Sequence, residues 1–156
     1  MKKRAIITSI IVLGLLSGCA TKKTAEEGKN VVEDWQKSRP PVELVKATVK
    51  TPEFAEAITN IAPVVFPVYK EVATLIDSGV SPAGIIQNID RLRDAAKEAS
   101  DKVTELSKKL KSMKLPAGAE GMTEGRALSS DLDKLQKQIT GTMKGLQILT
   151  QLADEK

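Results

Sequence analysis

Reactive side chains are scarce in this chain of 156 residues, which contains one cysteine and no histidine. Without histidine the Ser-His-Asp and Cys-His arrangements of nucleophilic catalysis and the usual zinc ligand sets cannot form, and one cysteine closes no internal disulfide. The acid pairs Glu26/Glu27 and Asp131/Asp133 do not face each other across a helix, so we expect them to be solvated surface residues. The sequence therefore predicts a protein that is not an enzyme and has no cofactor and no metal site.

The single cysteine, Cys19, ends a three-part N-terminal segment. Residues 2–4 are basic, residues 5–16 are almost wholly apolar, and the two residues before the cysteine are small. This order is typical of a secretory signal that is removed after export. The apolar run of about a dozen residues is short for a membrane span, which needs about 20.

The order Leu16-Ser17-Gly18-Cys19 resembles the lipobox of bacterial lipoproteins, and the resemblance covers residues 1–19 only. It implies cleavage between Gly18 and Cys19, a diacylglyceryl group on the cysteine sulfur and often a further fatty acid, such as palmitate, on the new amino group. Two or three acyl chains hold a protein firmly at a membrane, whereas one holds it marginally. Because Ala20 rather than an aspartate follows the cysteine, the resemblance favours the outer membrane, facing the periplasm, if the host has two membranes.

Removal of residues 1–18 would leave 138 residues, the usual size of one domain. We expect a tether at residues 19–23 and a helical domain at residues 24–156. The formal charge of +4 falls to +1 once the three basic residues at positions 2–4 are removed, and aromatic residues are only 3% of the chain. Both values argue against a nucleic-acid partner, which requires a concentrated basic face or aromatic platforms for bases.

Helix-start signals and apolar periodicity predict an all-α protein. Thr51-Pro52 and Ser81-Pro82 each combine a capping hydroxyl with a proline at the first helical position. We expect short N-terminal helices, from a capping box at Thr24 and over about 42–50, and then a third helix over about 52–78. Pro63 and Pro67 lie inside that helix, so it is either kinked or divided into two near residues 60–63. Its expected apolar seam, which continues through both prolines, consists of Phe54, Ile58, Ile61, Val65, Val68, Val72 and Leu75.

Two long segments continue the heptad pattern and are joined by a short polar loop. The segments at about 82–114 and 123–153 match in length, which predicts an antiparallel hairpin. With the 52–78 helix they would form an elongated antiparallel bundle. The expected seam of the first consists of Ile85, Ile89, Leu92, Ala96, Ala99, Val103, Leu106, Leu110 and Met113, and that of the second of Leu128, Leu132, Leu135, Ile139, Thr142, Leu146, Leu149 and Ala153.

Three internal features permit more than one interpretation. The apolar run 61–69, with Val65, Phe66 and Tyr69, is either helix core, which we favour, or a contact for a ligand or membrane. The Ala96/Ala99 pair either lets helices approach closely or leaves room for a ligand between them. The Gly-x-x-x-Gly spacings at 121–125 and 141–145 favour a loop and a close helix contact, respectively.

The function that fits these features best is a membrane-anchored, non-enzymatic lipoprotein of the bacterial cell envelope. Its helical bundle would serve as a structural or protein-interaction module, with the membrane and a protein as partners. An apolar-ligand or lipid-binding module of the envelope is the first alternative. An exclusion or lysis effector that acts at the membrane is the second.

Overall fold

The computed structural model of the protein describes residues 20–154, with side chains from Glu27 onwards. Four α-helices account for most of this range: α1 (Ala20–Ser38), α2 (Pro52–Ser78), α3 (Pro82–Ser112) and α4 (Gly118–Asp154). No strand is present between residues 20 and 154. The expected all-α helical bundle is confirmed.

The described chain divides into two compact units between Lys37 and Ser38. The described part of the first unit is a single helix, α1, which already begins at Ala20. Residues 20–23, expected to be a tether, form its first turn, and Thr24 lies inside the helix rather than at a cap. The second unit contains α2, α3, α4 and a segment without regular secondary structure, residues 39–51, which we call the strap.

The bounds of α2 follow from the sequence signals at its two ends. Pro52 occupies the first turn, and Gly79 ends the helix in the left-handed conformation, with φ of 62°. Between them the helix is continuous through Pro63 and Pro67, which settles the choice between one helix and two. Both prolines are exposed, so the carbonyl groups that they leave without an intrahelical partner are on the solvent side.

The buried face of α2 differs in part from the expected heptad seam. Phe54, Ile58, Val65 and Val72 are buried as expected, but the other fully enclosed positions are Ala62, Tyr69, Ala73 and Ile76. The predicted neighbours Ile61, Val68 and Leu75 are only half-buried. A straight helix has 3.6 residues per turn, so a strict 3.5-residue seam drifts away from the core along its length.

α3 and α4 form the expected hairpin, and α2 contacts both of them. In α3 the predicted seam is buried from Ile85 to Leu110, except that Leu106 is half-buried. The loop is shorter than predicted, because α3 ends at Ser112 and α4 begins at Gly118. Residues 121–125 are therefore helical rather than part of a loop.

The prediction of a short helix over 42–50 is wrong. These residues lack regular structure, although Val45 and Val49 are buried as an amphipathic helix would have placed them. A non-helical segment must find partners for its backbone N–H groups elsewhere. For the N–H groups of residues 48–50, the partners are side chains of α4.

Candidate functional site

A row of buried polar side chains runs along α4 beneath the strap. Glu124, Asp131 and Gln138 are seven residues apart, and their exposed fractions are 7%, 0% and 2%. The seven-residue spacing places them on one face of the helix, beside the apolar seam. The expectation that Asp131 is a solvated residue is thus wrong, whereas Asp133, two positions away, is exposed and paired with Lys137 at 2.7 Å.

Asp131 binds two consecutive residues of the strap. Its Oδ2 accepts hydrogen bonds from the backbone N–H groups of Thr48 at 2.7 Å and Val49 at 3.1 Å. Its Oδ1 accepts a bond from the Thr48 hydroxyl at 2.7 Å. Lys134 Nζ lies 3.9 Å from the same carboxylate and is half exposed. Three hydrogen bonds to one buried side chain therefore fix the strap at Thr48 and Val49.

Glu124 repeats this arrangement where the strap joins α2. Its Oε2 accepts bonds from the N–H groups of Lys50 at 2.9 Å and Thr51 at 2.8 Å, and from the Thr51 hydroxyl at 2.9 Å. The Thr51 side chain therefore does not cap α2 as the sequence suggested. The bond from the Thr51 N–H is the main cause that lowers the pKa of Glu124. Desolvation opposes that shift, while the Thr51 hydroxyl and Lys50 reinforce it.

The N-terminal part of the strap is held by neutral side chains. Gln138 donates from Nε2 to the carbonyl oxygen of Glu43 at 2.7 Å, and the Tyr69 hydroxyl donates to the carbonyl oxygen of Pro40. Gly141 lets the strap approach closely, because a Cβ there would lie 3.2 Å from both the Pro40 ring and the Tyr69 ring. The close contact expected at Gly141 is confirmed, although it is made with the strap and α2.

The buried polar groups of this region are almost all bonded. Among the described residues, Gln138 Oε1 is the buried side-chain oxygen that has no hydrogen-bond partner. Burial raises the pKa of the Tyr69 phenol; Arg39 opposes this shift and Asp77 adds to it. The phenol therefore keeps the proton that it donates to Pro40. Arg39, the first residue of the strap, pairs with Asp77 at 2.9 Å.

The residues that the sequence singled out do not come together. Gly18 and Cys19 lie outside the described residues. Val65 and Tyr69 are fully buried, and Phe66 is half-buried with Lys70 Nζ 6.0 Å from its ring centroid. Between residues 20 and 154 no helix is both long and apolar enough to cross a membrane. Ala96 and Ala99 are completely enclosed in α3.

A second feature lies at the hairpin tip, by which we mean residues 106–126. An open depression of about 520 Å³ is lined by the loop and the first turns of α4, next to Leu115, Pro116 and Met122. The loop lies against the helix because α4 has glycine there: a Cβ at Gly121 would lie 1.7 Å from the Pro116 carbonyl oxygen. Leu115 and Met122 are exposed, at 41% and 64%.

Within the described range, no three acidic or cysteine side chains are grouped so that they could hold a metal ion. No family model, curated protein or solved structure matches the chain.

The polar row was not predicted from the sequence, although its spacing provides a signal. Glu124, Asp131 and Gln138 repeat at seven residues, in phase with the apolar seam of the same helix. Polar residues that share a heptad position beside a seam are candidates for burial against a partner that offers backbone groups.

Proposed function

We propose that this protein is a membrane-anchored bacterial lipoprotein whose helical bundle is a non-enzymatic structural or protein-interaction module of the cell envelope. The lipobox-like residues 16–19 support the anchor. In a host with two membranes, the anchor would be in the outer membrane and the bundle would face the periplasm. The partners would be the membrane, through the acyl chains on Cys19, and a protein bound at the bundle surface.

The observation that carries the structural part of this proposal is the use of the buried polar row. Glu124, Asp131 and Gln138 are buried, and each bonds the chain's own backbone. A catalytic carboxylate would instead face a space that a substrate can enter. These bonds hold residues 39–51 against the bundle, which suits a structural or protein-interaction module.

The anchor is tested on the protein made by bacterial cells. Intact-mass measurement should show a chain that begins at Cys19 and carries diacylglyceryl and acyl groups. Cys19→Ser should leave the signal uncleaved or move the protein out of the detergent phase. A wild-type mature chain without added lipid would overturn the proposal.

The interaction module is tested by photo-crosslinking in cells. Crosslinking residues placed at exposed positions of α2, α3 and α4 should give one discrete protein adduct from one face. Adducts restricted to lipid or to a small molecule would favour the ligand-binding alternative. The absence of any protein adduct from all three helices would contradict an interaction role.

A further inference from the structure

Positive charge and exposed apolar groups coincide at the hairpin tip. Residues 106–126 contain five basic and two acidic residues. One of the acids, Glu124, is buried under the strap, so Glu120 is the exposed one. Leu115 and Met122 stand exposed in the same region. The basic side chains, all exposed, are Lys108, Lys109, Lys111, Lys114 and Arg126.

The nearest acids of α2 do not offset this charge at the tip itself. Thr51 donates a hydrogen bond to Glu124, which is in the second turn of α4. Because α2 starts at the next residue, Pro52, it begins beside Glu124 and runs away from the tip. Glu53 therefore lies at the base of the tip, where the exposed Lys50 of the strap offsets its charge, and Glu56 lies farther along the bundle. Residues 108–114 carry four lysines and no acid, with Glu105 one turn before them, and Leu115 and Met122 are exposed beside this basic end.

We propose that the hairpin tip docks on the anionic phospholipid surface of a bilayer. Clustered lysines are attracted to anionic headgroups, and exposed apolar side chains enter the boundary below them. An acidic protein would supply charge for the lysines, but it would also need a shape that matches the tip. The depression beside Leu115 and Met122 is wide open and offers no enclosed shape for a protein to match. A bilayer surface requires no such match and accepts both lysines and apolar side chains.

The proposed contact is separate from the place where the strap begins. Pro40 lies against Gly141, and 23 residues of α4 separate Gly141 from Gly118, or about 35 Å of helix. Neither a lipid on Cys19 nor a protein partner requires a second contact there. Docking of the tip would give the anchored protein a second point of attachment and would limit the orientations of the bundle.

The test uses the full lipidated protein, with a fluorescent reporter at the tip. Met122→Cys supplies a free thiol for a nitrobenzoxadiazole label, since lipid blocks the sulfur of Cys19 under the function proposed above. The protein is inserted into phosphatidylcholine vesicles with and without phosphatidylglycerol. We expect the label to brighten and shift to the blue only in the anionic vesicles, and to lose this change as salt is raised, because salt screens the lysine attraction.

The matched control is Met143→Cys. Met143 is an exposed methionine of the same helix, 48% exposed and 21 residues, or about 32 Å, from Met122. Its label should not respond to phosphatidylglycerol. An equal response at both positions, a response in neutral vesicles, or none at position 122 would overturn the proposal.

Charge variants test the lysines directly. Lys111→Glu/Lys114→Glu should abolish the response of the position-122 label, and Lys111→Gln/Lys114→Gln should weaken it. The double change Lys97→Glu/Lys144→Glu, away from the tip, should leave it intact. Circular dichroism will show whether the change to glutamate unfolds the tip. If it does, the response of the Lys111→Gln/Lys114→Gln variant tests the proposal instead. Retention of the response in the glutamine pair would overturn the proposal.

The same experiment distinguishes binding of an acidic polypeptide, and failure of the lipid anchor, from failure of tip docking. If poly-glutamate in solution produces the same signal at position 122, the tip recognises acidic polypeptide and the bilayer proposal fails. Failure of the anchor would appear as protein that does not float with neutral vesicles. Failure of tip docking would appear as floating protein whose position-122 label does not respond.

Discussion

Two carboxylates of α4 accept hydrogen bonds from backbone N–H groups of the strap. In a helix or a sheet, backbone carbonyl groups would accept such bonds. The strap has no ladder or helix to accept its N–H groups, and each buried N–H without a partner is unfavourable. Asp131 and Glu124 each accept from two consecutive N–H groups and one threonine hydroxyl. The same pattern occurs twice, seven residues apart on one helix, which indicates that the pairing sets the position of the strap.

Removal of the Asp131 carboxylate should therefore destabilise the protein strongly. We expect Asp131→Ala to lower the free energy of unfolding by roughly 3 kcal/mol, because the buried Val49 N–H loses its acceptor. Asp133→Ala removes an exposed pair with Lys137 and should change stability by less than about 0.5 kcal/mol. Urea unfolding of both variants measures the difference. Equal losses would mean that Asp131 does not hold the strap.

Glu124 should make the protein sensitive to acid. Its pKa in the folded state lies below the ordinary value of 4.5, mainly because the Thr51 N–H stabilises the ionised form. A lowered folded pKa contributes stability that is present above the unfolded pKa and is lost as pH falls through the folded pKa. The thermal midpoint should therefore drop below about pH 4.5, and Glu124→Gln should have a lower midpoint at neutral pH and a flatter acid limb.

The exposed pair Glu98–Lys102 provides the comparison. The Lys102 side chain lowers the pKa of Glu98 through a 2.6 Å hydrogen bond, but this pair is open to solvent. Any effect of Glu98→Gln should vanish in about 1 M salt, which screens exposed charges, whereas the effect of Glu124→Gln should persist. Parallel acid limbs for wild type and Glu124→Gln would refute the assignment.

At the scale of elements, glycines of α4 determine how closely other segments approach. Gly141 faces two rigid rings, those of Pro40 and Tyr69. Gly125 faces only the Cδ1 end of the Leu115 side chain, at 3.0 Å from an added Cβ. The two positions share a helix and differ in what the new methyl group would meet.

Alanine at these two positions should therefore have opposite effects. Replacing a helical glycine by alanine adds about 1 kcal/mol of intrinsic helix stability. Gly125→Ala should keep most of this gain, since Leu115 can move. Gly141→Ala should be net destabilising by about 1 kcal/mol or more, because the packed rings cannot yield without displacing the strap. Thermal unfolding of both variants checks the sign, and a stabilised Gly141→Ala would show that the strap is loosely held.

The helices of the bundle could be predicted because their signals are local. Proline after a hydroxyl residue marks the starts of α2 and α3, Gly79 marks the end of α2, and apolar spacing identifies the inner faces. The conformation of the strap could not be predicted from the sequence, because the spacing of Val45 and Val49 fits an amphipathic helical turn as well as a non-helical segment. What decides between them is the bonding of Thr48 and Val49 to a carboxylate 82–83 residues away, which spacing within the segment does not reveal.

At the scale of the whole molecule, the heptad seams predicted from the sequence are used within one chain. Leu92 and Ala99 of α3 and Leu135 and Leu149 of α4 are at most 1% exposed in a single copy. The exposed large apolar residues are few, so among the described residues no long apolar stripe is left on α3 or α4 for pairing with a second chain. They are Val31, Val42, Leu44, Ile86, Leu115, Met122 and Met143.

We therefore expect the lipid-free mature chain to be a monomer. The hairpin partner of each seam is close in sequence, so pairing within the chain requires closure of only a short loop. Sedimentation equilibrium should give the mass of one chain, and the thermal midpoint should not depend on protein concentration. A midpoint that rises with concentration would indicate a stabilising association. In that case the seams would be shared between chains, and the isolated bundle would not be the folded unit.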